Sequence, residues 1–279
     1  MIVLLRASFK ESMQSVHNQV TIITGASRGI GRASARIFAA AGARVVLVAR
    51  PSSDLTALHT ELRAAGAQVL MLPTDVSDRA ATARLVERVI DEWQRIDIVI
   101  NNAGVGIQSN IGELPPDLLQ RVLAVNLMGP LLLTQAALPE MRRQRSGMIV
   151  NVSSPVAELA LPGIGGYAMS KAALDALSDT LRREEYRNGI RVATVYPGRI
   201  DTNFDRARIR VGGSQRVGRS PISGSAEQVA QAILRGVERR RSVIYALHPV
   251  ERLLWTLHGW LPRAFDPIFG LRMSRRKPR

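Results

Sequence analysis

Seven short runs of aliphatic and β-branched residues recur along the chain: VTIIT at 20–24, RVVLVA at 44–49, QVLML at 68–72, IDIVI at 96–100, GMIVNV at 147–152, IRVATVY at 190–196 and SVIYAL at 242–247. Stretches with helical periodicity lie between most of them. A strand that is apolar throughout is buried on both faces, which requires helices above and below a parallel sheet. The sequence therefore predicts an α/β fold, a doubly wound parallel sheet of seven strands with right-handed crossovers and a ligand crevice at the strands' carboxyl ends. With 279 residues and 46% hydrophobic content, the chain can fill the core of one such domain, expected over residues 18–247.

The first run leads directly into a glycine turn. In TIITGASRGIG, Gly25, Gly29 and Gly31 stand between the first strand and the amphipathic IGRASARIFAAAG. Glycines there let the backbone approach a pyrophosphate, whose charge is favoured by the amides and dipole of the helix N-terminus. A turn made only for packing is the alternative, and the strand–turn–helix context favours the binding reading.

Further along, YAMSK sets Tyr167 and Lys171 four residues apart. On a helix the two side chains share a face, with Cβ atoms roughly 5–6 Å apart. A free phenol titrates near about 10, and a neighbouring cation favours its ionised form, so the pair suits proton exchange near neutrality. An ordinary surface Tyr and a solvated Lys would carry the same spacing.

The spacing T-G-x-x-x-G-x-G, together with NNAG at 101–104 and Y-x-x-x-K, resembles the short-chain dehydrogenase/reductase family. The resemblance runs over about residues 19–246 and extends to TDVSD, VNLMG, NVSS and YPGRIDT, in the family's order. It implies a Rossmann-type fold and hydride transfer between a nicotinamide and a carbonyl or alcohol carbon. It also implies a set of site residues. Tyr167 would be the general acid and base, and Lys171 would hold the cofactor ribose and lower the pKa of the phenol. The family's serine lies 13 residues before its tyrosine, which gives Ser154; Ser153 is the rival, turned to the opposite side by strand alternation. Asn126 would fix a helix distortion and a water that relays protons to Lys171.

For the cofactor, the resemblance assigns the turn residues Gly25, Ser27, Arg28, Gly29, Ile30 and Gly31. It places Asp75 and Val76 at the adenine, and Asn102, Ala103 and Gly104 along the central path. Pro197, Gly198, Ile200 and Thr202 would hold the nicotinamide amide. At the end of the second strand, where an acid would bind ribose hydroxyls, stands Arg50, and Arg28 adds a second cation. The pair should favour a 2′-phosphate by charge-assisted contacts, so NADP(H) is the expected cofactor. Asp54 is read as the cap of the following helix rather than a ribose ligand, and Asp75 and NNAG have alternative readings as a cap and a turn. Ala157 stands where the family often has glycine, which leaves the local backbone open.

The remaining composition narrows partners. Without cysteine the chain has no disulfide or thiolate chemistry, and its four histidines show no ligand spacing, so no metal site is expected. Of the net charge of +15, residues 235–279 carry +8, from 11 Arg or Lys against three acids. No nucleic-acid-binding motif accompanies them, and none is expected as a partner. In the C-terminal extension, 248–279, Val250, Leu253, Leu254, Leu257 and Leu261 follow helical spacing near Trp255 and Trp260. That pattern suits either packing on the domain or a partner subunit, or peripheral contact with a membrane surface through residues 250–279. Residues 1–17 read as an extension too poor in apolar residues to span a bilayer. Residues 201–224 read as a mobile loop beside the crevice. The expected protein is a cytoplasmic, homodimeric or homotetrameric reductase of a hydrophobic ketone, aldehyde, steroid or long-chain alcohol. A 3-oxoacyl reductase acting on acyl carrier protein, or a non-catalytic NADP(H)-sensing or scaffold protein, are the alternatives.

Overall fold

A computed structural model describes residues 15–200, 204, 207–212 and 224–267. The seven apolar runs form β1 (Val20–Thr24), β2 (Arg44–Ala49), β3 (Val69–Pro73), β4 (Ile98–Asn101), β6 (Gly147–Val152), β7 (Ile190–Pro197) and β9 (Val243–Ala246). All pair in parallel, in the order β3-β2-β1-β4-β6-β7-β9. Alternation sends neighbouring residues to opposite cores. Ile23, Leu47, Ile100 and Val150 pack on one side with Phe38, Leu58 and Ile233. Ile22, Val46, Val99 and Ile149 pack on the other with Leu85, Leu133 and Met141.

The helices that cover the first face are α1 (Gly29–Ala40), α2 (Ser53–Ala64) and α8 (Ala226–Glu238). Those on the second are α3 (Arg79–Trp93), α5 (Gly129–Gln144) and α7 (Gly165–Glu184). A shorter helix, α4 (Pro116–Leu123), runs into α5 through a π-helical turn, Ala124–Met128. This run of 116–144 is long and apolar enough to cross a membrane by length and composition, yet it packs against α3, β6 and α7 as a core helix. The short α6 (Val156–Leu159) precedes α7, and α9 (Pro249–Trp260) follows the last strand.

Two features depart from the sequence reading. A two-stranded parallel sheet joins β5 (Ile107–Gln108) to β8 (Ile209–Arg210), so part of the expected 201–224 loop is a strand; residues 201–203, 205–206 and 213–223 lie outside the described residues. Val16 is fully enclosed in the core and His17 closes over Gly42, so the packed chain begins before residue 18.

The strand order reverses between β1 and β4, and the crevice expected of such a switch point lies beyond their carboxyl ends. Gly25 leaves β1 on one side of it and Asn102 leaves β4 on the other.

Candidate active site

At the switch point the glycine turn is clasped to the neighbouring strand. The Thr24 hydroxyl accepts from the backbone N–H of Asn102 at 2.9 Å and of Ala103 at 3.0 Å. Asn102 Nδ2 donates back to the Thr24 carbonyl at 2.9 Å. Gly25 and Gly29 have φ of +66° and +55°, in the left-handed region that favours glycine. A Cβ at Gly31 would lie 2.2 Å from the Gly25 carbonyl oxygen. The turn admits no side chain at that point, because the start of α1 packs directly on the backbone that leaves β1. Asn102 braces the turn from outside, and Gly104 lies under Asn126. Ser27 is buried within the turn, and Ile30 packs into the core from the first turn of α1.

Arg28 stands at the N-terminus of α1, exposed and without a capping bond from its side chain, and Arg50 is exposed at the end of β2. Asp54 does not cap α2. The helix starts earlier than its apolar pattern suggests, so Ser52 is the cap, accepting from Leu55 N at 3.3 Å, and Asp54 sits in the first turn. Asp75 is likewise no helix cap, since Asp78 caps α3. Its carboxyl accepts from the Ser77 hydroxyl at 2.6 Å and the Ser77 N–H at 3.0 Å. Those bonds, with a smaller contribution from Arg50, hold it below the usual carboxylate range. Val76 is buried against Gly129.

Asn126 is fully buried in the π-helical turn, the helix distortion expected at this residue. Its Oδ1 accepts from Val105 N at 2.8 Å, and its Nδ2 donates to Val105 O and to Ser170 Oγ, both at 2.9 Å. Ser170 Oγ in turn donates to the Tyr167 carbonyl at 2.7 Å. The side chain thus ties the segment after NNAG to the turn of α7 that carries Tyr167, and its bonds leave its own helix. π-turns of this kind recur at functional sites.

Tyr167 and Lys171 lie one turn apart on α7, with Lys171 Nζ 5.8 Å from the centre of the phenol ring. The ammonium is only 4% exposed and donates to the Val152 carbonyl at 2.7 Å. Burial pushes it down to about 8, against the opposing pull of Asp175 one further turn along. Asp175 is pushed up to about 6, again chiefly by burial.

The two serines at the end of β6 separate as alternation demands. Ser153 is enclosed beside Asp175, whose ionised form it favours, although neither Ser153 Oγ nor Asp175 Oδ1 completes a well-aligned hydrogen bond. Ser154 is partly exposed and its Oγ accepts from Val156 N at 3.4 Å. Ala157 falls within α6, where its N–H bonds the Ser154 carbonyl at 3.0 Å, so its backbone needs no glycine. Around the phenol the walls are apolar: Val105, Leu114, Val156 and Phe204 pack with Ile107 and Val122 about Tyr167, whose ring centre is 5.7 Å from that of Phe204.

Pro197 ends β7, and Gly198 and Ile200 follow it, held by Gly198 N to Ala246 O at 2.8 Å and by a bridge from Ile200 to Gly224, with Ile200 packed against the first core. Thr202 lies outside the described residues. The helical stripe of α9 does not face the domain: Leu253, Leu254, Leu257 and Trp260 are exposed, and Trp255 is the side chain that anchors the helix. Its indole packs on Tyr196 and Tyr245, with centroids 4.8 and 5.4 Å away. Sequence reasoning missed Thr24, Ser170, Asp175, Tyr196 and Glu251. Thr24 and Ser170 stand inside quoted motifs, and Asp175 continues the four-residue spacing of Tyr167 and Lys171. Tyr196 likewise stands in the quoted YPGRIDT, and Glu251 has no local signal.

The chain matches the family model described as short chain dehydrogenase over residues 19–210. It is 37% identical over 276 residues to dehydrogenase/reductase SDR family member 7B of Bos taurus, covering 94% of this chain and 83% of the bovine one. It is 34% identical to the 3-oxoacyl-[acyl-carrier-protein] reductase FabG of Thermotoga maritima, covering 78% of this chain and 90% of that one. Among solved structures, a short chain dehydrogenase/reductase from Burkholderia phymatum in complex with NAD superposes with a TM-score of 0.80 at 27% identity, covering 88% of this chain and 95% of that one. A metagenomic short-chain oxidoreductase in complex with NADP gives 0.71 at 30% identity, with coverage of 84% and 99%. A matched model spanning most of the fold, and a relative similar along nearly the whole chain, show that this protein is an oxidoreductase belonging to the short chain dehydrogenase family.

Proposed function

We propose that the chain is an NADP(H)-dependent carbonyl reductase, or the alcohol dehydrogenase of the reverse direction, acting on a hydrophobic substrate. The observation that carries this reading is the burial of Lys171 beside Tyr167. An ammonium enclosed at that cost, with a pKa of about 8, can hold and exchange a proton near neutrality next to a phenol. The Tyr167 hydroxyl gives its proton to the carbonyl oxygen, and the Lys171 charge stabilises the phenolate that remains. Ser154, on the open side of β6, donates a hydrogen bond to the same oxygen and fixes its direction. Asn126 keeps the Tyr167 turn in register with the segment after NNAG. When bound, the nicotinamide supplies or accepts the hydride.

The residues present fit that cofactor. The glycine turn, with Gly25 and Gly29 in the left-handed region, opens on the N-terminus of α1, which suits a pyrophosphate, and the exposed guanidiniums of Arg28 and Arg50 suit a 2′-phosphate. The solved relatives include one complex with NAD and one with NADP; the two arginines favour the second for this chain. Apolar walls about Tyr167 favour an apolar substrate. So does the exposed apolar face of α9, a helix that packs beside α6 and is followed by five basic and no acidic residues in 268–279. That face with its cations suits an anionic lipid surface. Sedimentation with anionic vesicles, lost when Leu253 and Trp260 are replaced by serine, supports the lipid contact; no sedimentation of the full chain overturns it.

The test of the activity is NADPH and NADH oxidation across steroids, retinal, quinones, aliphatic aldehydes and acyl thioesters. Turnover of apolar carbonyls with NADPH is the expected result. Preference for an acetoacetyl thioester would instead favour the acyl-carrier reading that the Thermotoga relative suggests. Cofactor binding with no turnover across the panel would leave a nucleotide sensor and overturn the enzymatic reading.

A further inference from the structure

We propose that α9, beyond the matched residues 19–210, is a working part of the cofactor site, with Glu251 as a positioning residue for the Pro197–Ile200 loop and Trp255 as its anchor. The proposal rests on the reading of that loop as the one that faces the nicotinamide.

Three contacts carry it. Arg199 N donates to Glu251 Oε1 at 3.3 Å, so the carboxylate holds a backbone amide at the centre of the loop. The other oxygen, Oε2, lies 2.5 Å from where a Cβ on Gly198 would stand, so the glycine and the carboxylate fit each other closely. One turn further along α9, Trp255 packs on Tyr196, the residue immediately before Pro197. The two contacts, at positions i and i+4 of one helix, therefore grip the strand end and the loop that leaves it. The loop's opposite edge is tied to Gly224, whose N–H donates to the Arg199 carbonyl at 2.8 Å. With the N–H and the carbonyl of Arg199 both bonded, the two successive peptides at the centre of the loop are held from opposite edges.

Glu251 has a second task, because Oε2 also accepts from His248 N at 3.2 Å in the capping box of α9. The imidazole half of the cap can be removed without touching either bond of Glu251. His248→Ala removes the imidazole that caps Val250 N and leaves the Arg199 bond intact. Glu251→Ala removes both. Glu251→Gln keeps a carbonyl oxygen for Arg199.

The experiment measures, by titration calorimetry on the full chain, the affinity for NADPH and for 2′,5′-ADP, which lacks the nicotinamide half. Loss of one hydrogen bond at the loop predicts roughly tenfold weaker NADPH binding in Glu251→Ala with 2′,5′-ADP unchanged. Glu251→Gln should recover most of the loss, and Trp255→Ala should reproduce it. Thr256→Ala, on the exposed side of the same helix, and His248→Ala should bind both ligands as the wild type does. Equal weakening of both ligands in Glu251→Ala, unchanged NADPH binding, or an equal NADPH loss in His248→Ala would each overturn the positioning role. A wild-type chain that binds no nicotinamide nucleotide would overturn the cofactor reading on which it rests.

Discussion

The Tyr196 hydroxyl donates to Asp175 Oδ2 at 3.2 Å. Burial and the neighbouring Asp175 carboxylate push the Tyr196 phenol up, so it remains a donor throughout the physiological range. Asp175 opposes the effect of burial on Lys171, one turn back along α7. Around Asp175 the charged and titratable groups are Lys171, Tyr196 and Glu158. Asp175→Asn removes the anion that favours protonated Lys171, so the ammonium should lose its proton at lower pH. The alkaline limb of the kcat/KM profile should move toward acid, while Tyr196→Phe, which leaves the carboxylate, should move it much less. A profile unchanged in Asp175→Asn would show that the carboxylate does not set the charge on Lys171.

The same pair weakens the fold at neutral pH. Lys171 falls from 10.5 to about 8 on folding, so between those values the unfolded chain binds more protons and stability rises with pH. Asp175 rises from 3.8 to about 6, so its contribution is full below the lower value and is lost as pH climbs through the upper one. At pH near 7 both ionised side chains therefore cost stability. Lys171→Met should raise the melting temperature, by on the order of 1 kcal/mol of added stability, while abolishing turnover. A lower melting temperature would mean that the bond to the Val152 carbonyl outweighs the burial of the charge.

Much of this architecture is legible in the sequence, because strands buried on both faces cannot hide polar positions. All seven apolar runs became strands of the main sheet, and the glycine turn lies where strand order reverses. What escaped has physical reasons. β5 and β8 are two residues each, too short for any period to register. Asp54 reads as the cap because the apolar pattern of α2 starts only at Leu55, two residues after the helix begins. Along α9 periodicity shows which residues share a side, but not which side meets the domain, and one tryptophan settles that orientation. Glu251 reaches Arg199 across 52 positions of chain, a contact that only the completed fold creates.

Replacement of Gly31 by alanine tests the turn directly. The new methyl would meet the Gly25 carbonyl oxygen at 2.2 Å and Asn102 Nδ2 at 2.5 Å. Both atoms are fixed by the Thr24 clasp, so neither can move away cheaply. A loss of about 3 kcal/mol is expected, read as a fall in melting temperature together with weakened NADPH binding. Gly259→Ala, which meets nothing within 4 Å on the last turn of α9, should change stability by less than about 0.5 kcal/mol. Equal effects of the two would remove the steric argument.

Tyr167→Phe keeps the ring that packs on Phe204 and removes the hydroxyl. The expected outcome is a kcat lower by roughly 10² to 10⁴-fold with the NADPH dissociation constant within about twofold of wild type. A phenylalanine variant with wild-type kcat would place the proton donor elsewhere.

Cofactor choice should follow the charge at the end of β2. Arg50 is exposed at the end of β2 and close enough to Asp75 to influence its carboxyl. A charge-assisted bond to a 2′-phosphate is worth about 1.5–3 kcal/mol, or roughly 10- to 100-fold in affinity. Arg50→Asp replaces that attraction with repulsion and offers a carboxylate to the free ribose hydroxyls of NADH. Dissociation constants for NADPH and NADH, measured on both proteins, should show the ratio shift toward NADH by at least that amount. Because the substitution leaves Tyr167, Lys171 and the glycine turn intact, turnover with saturating NADH should persist. An unchanged ratio would mean that Arg28 or another cation reads the phosphate, and the preference assigned to the β2 end would fall.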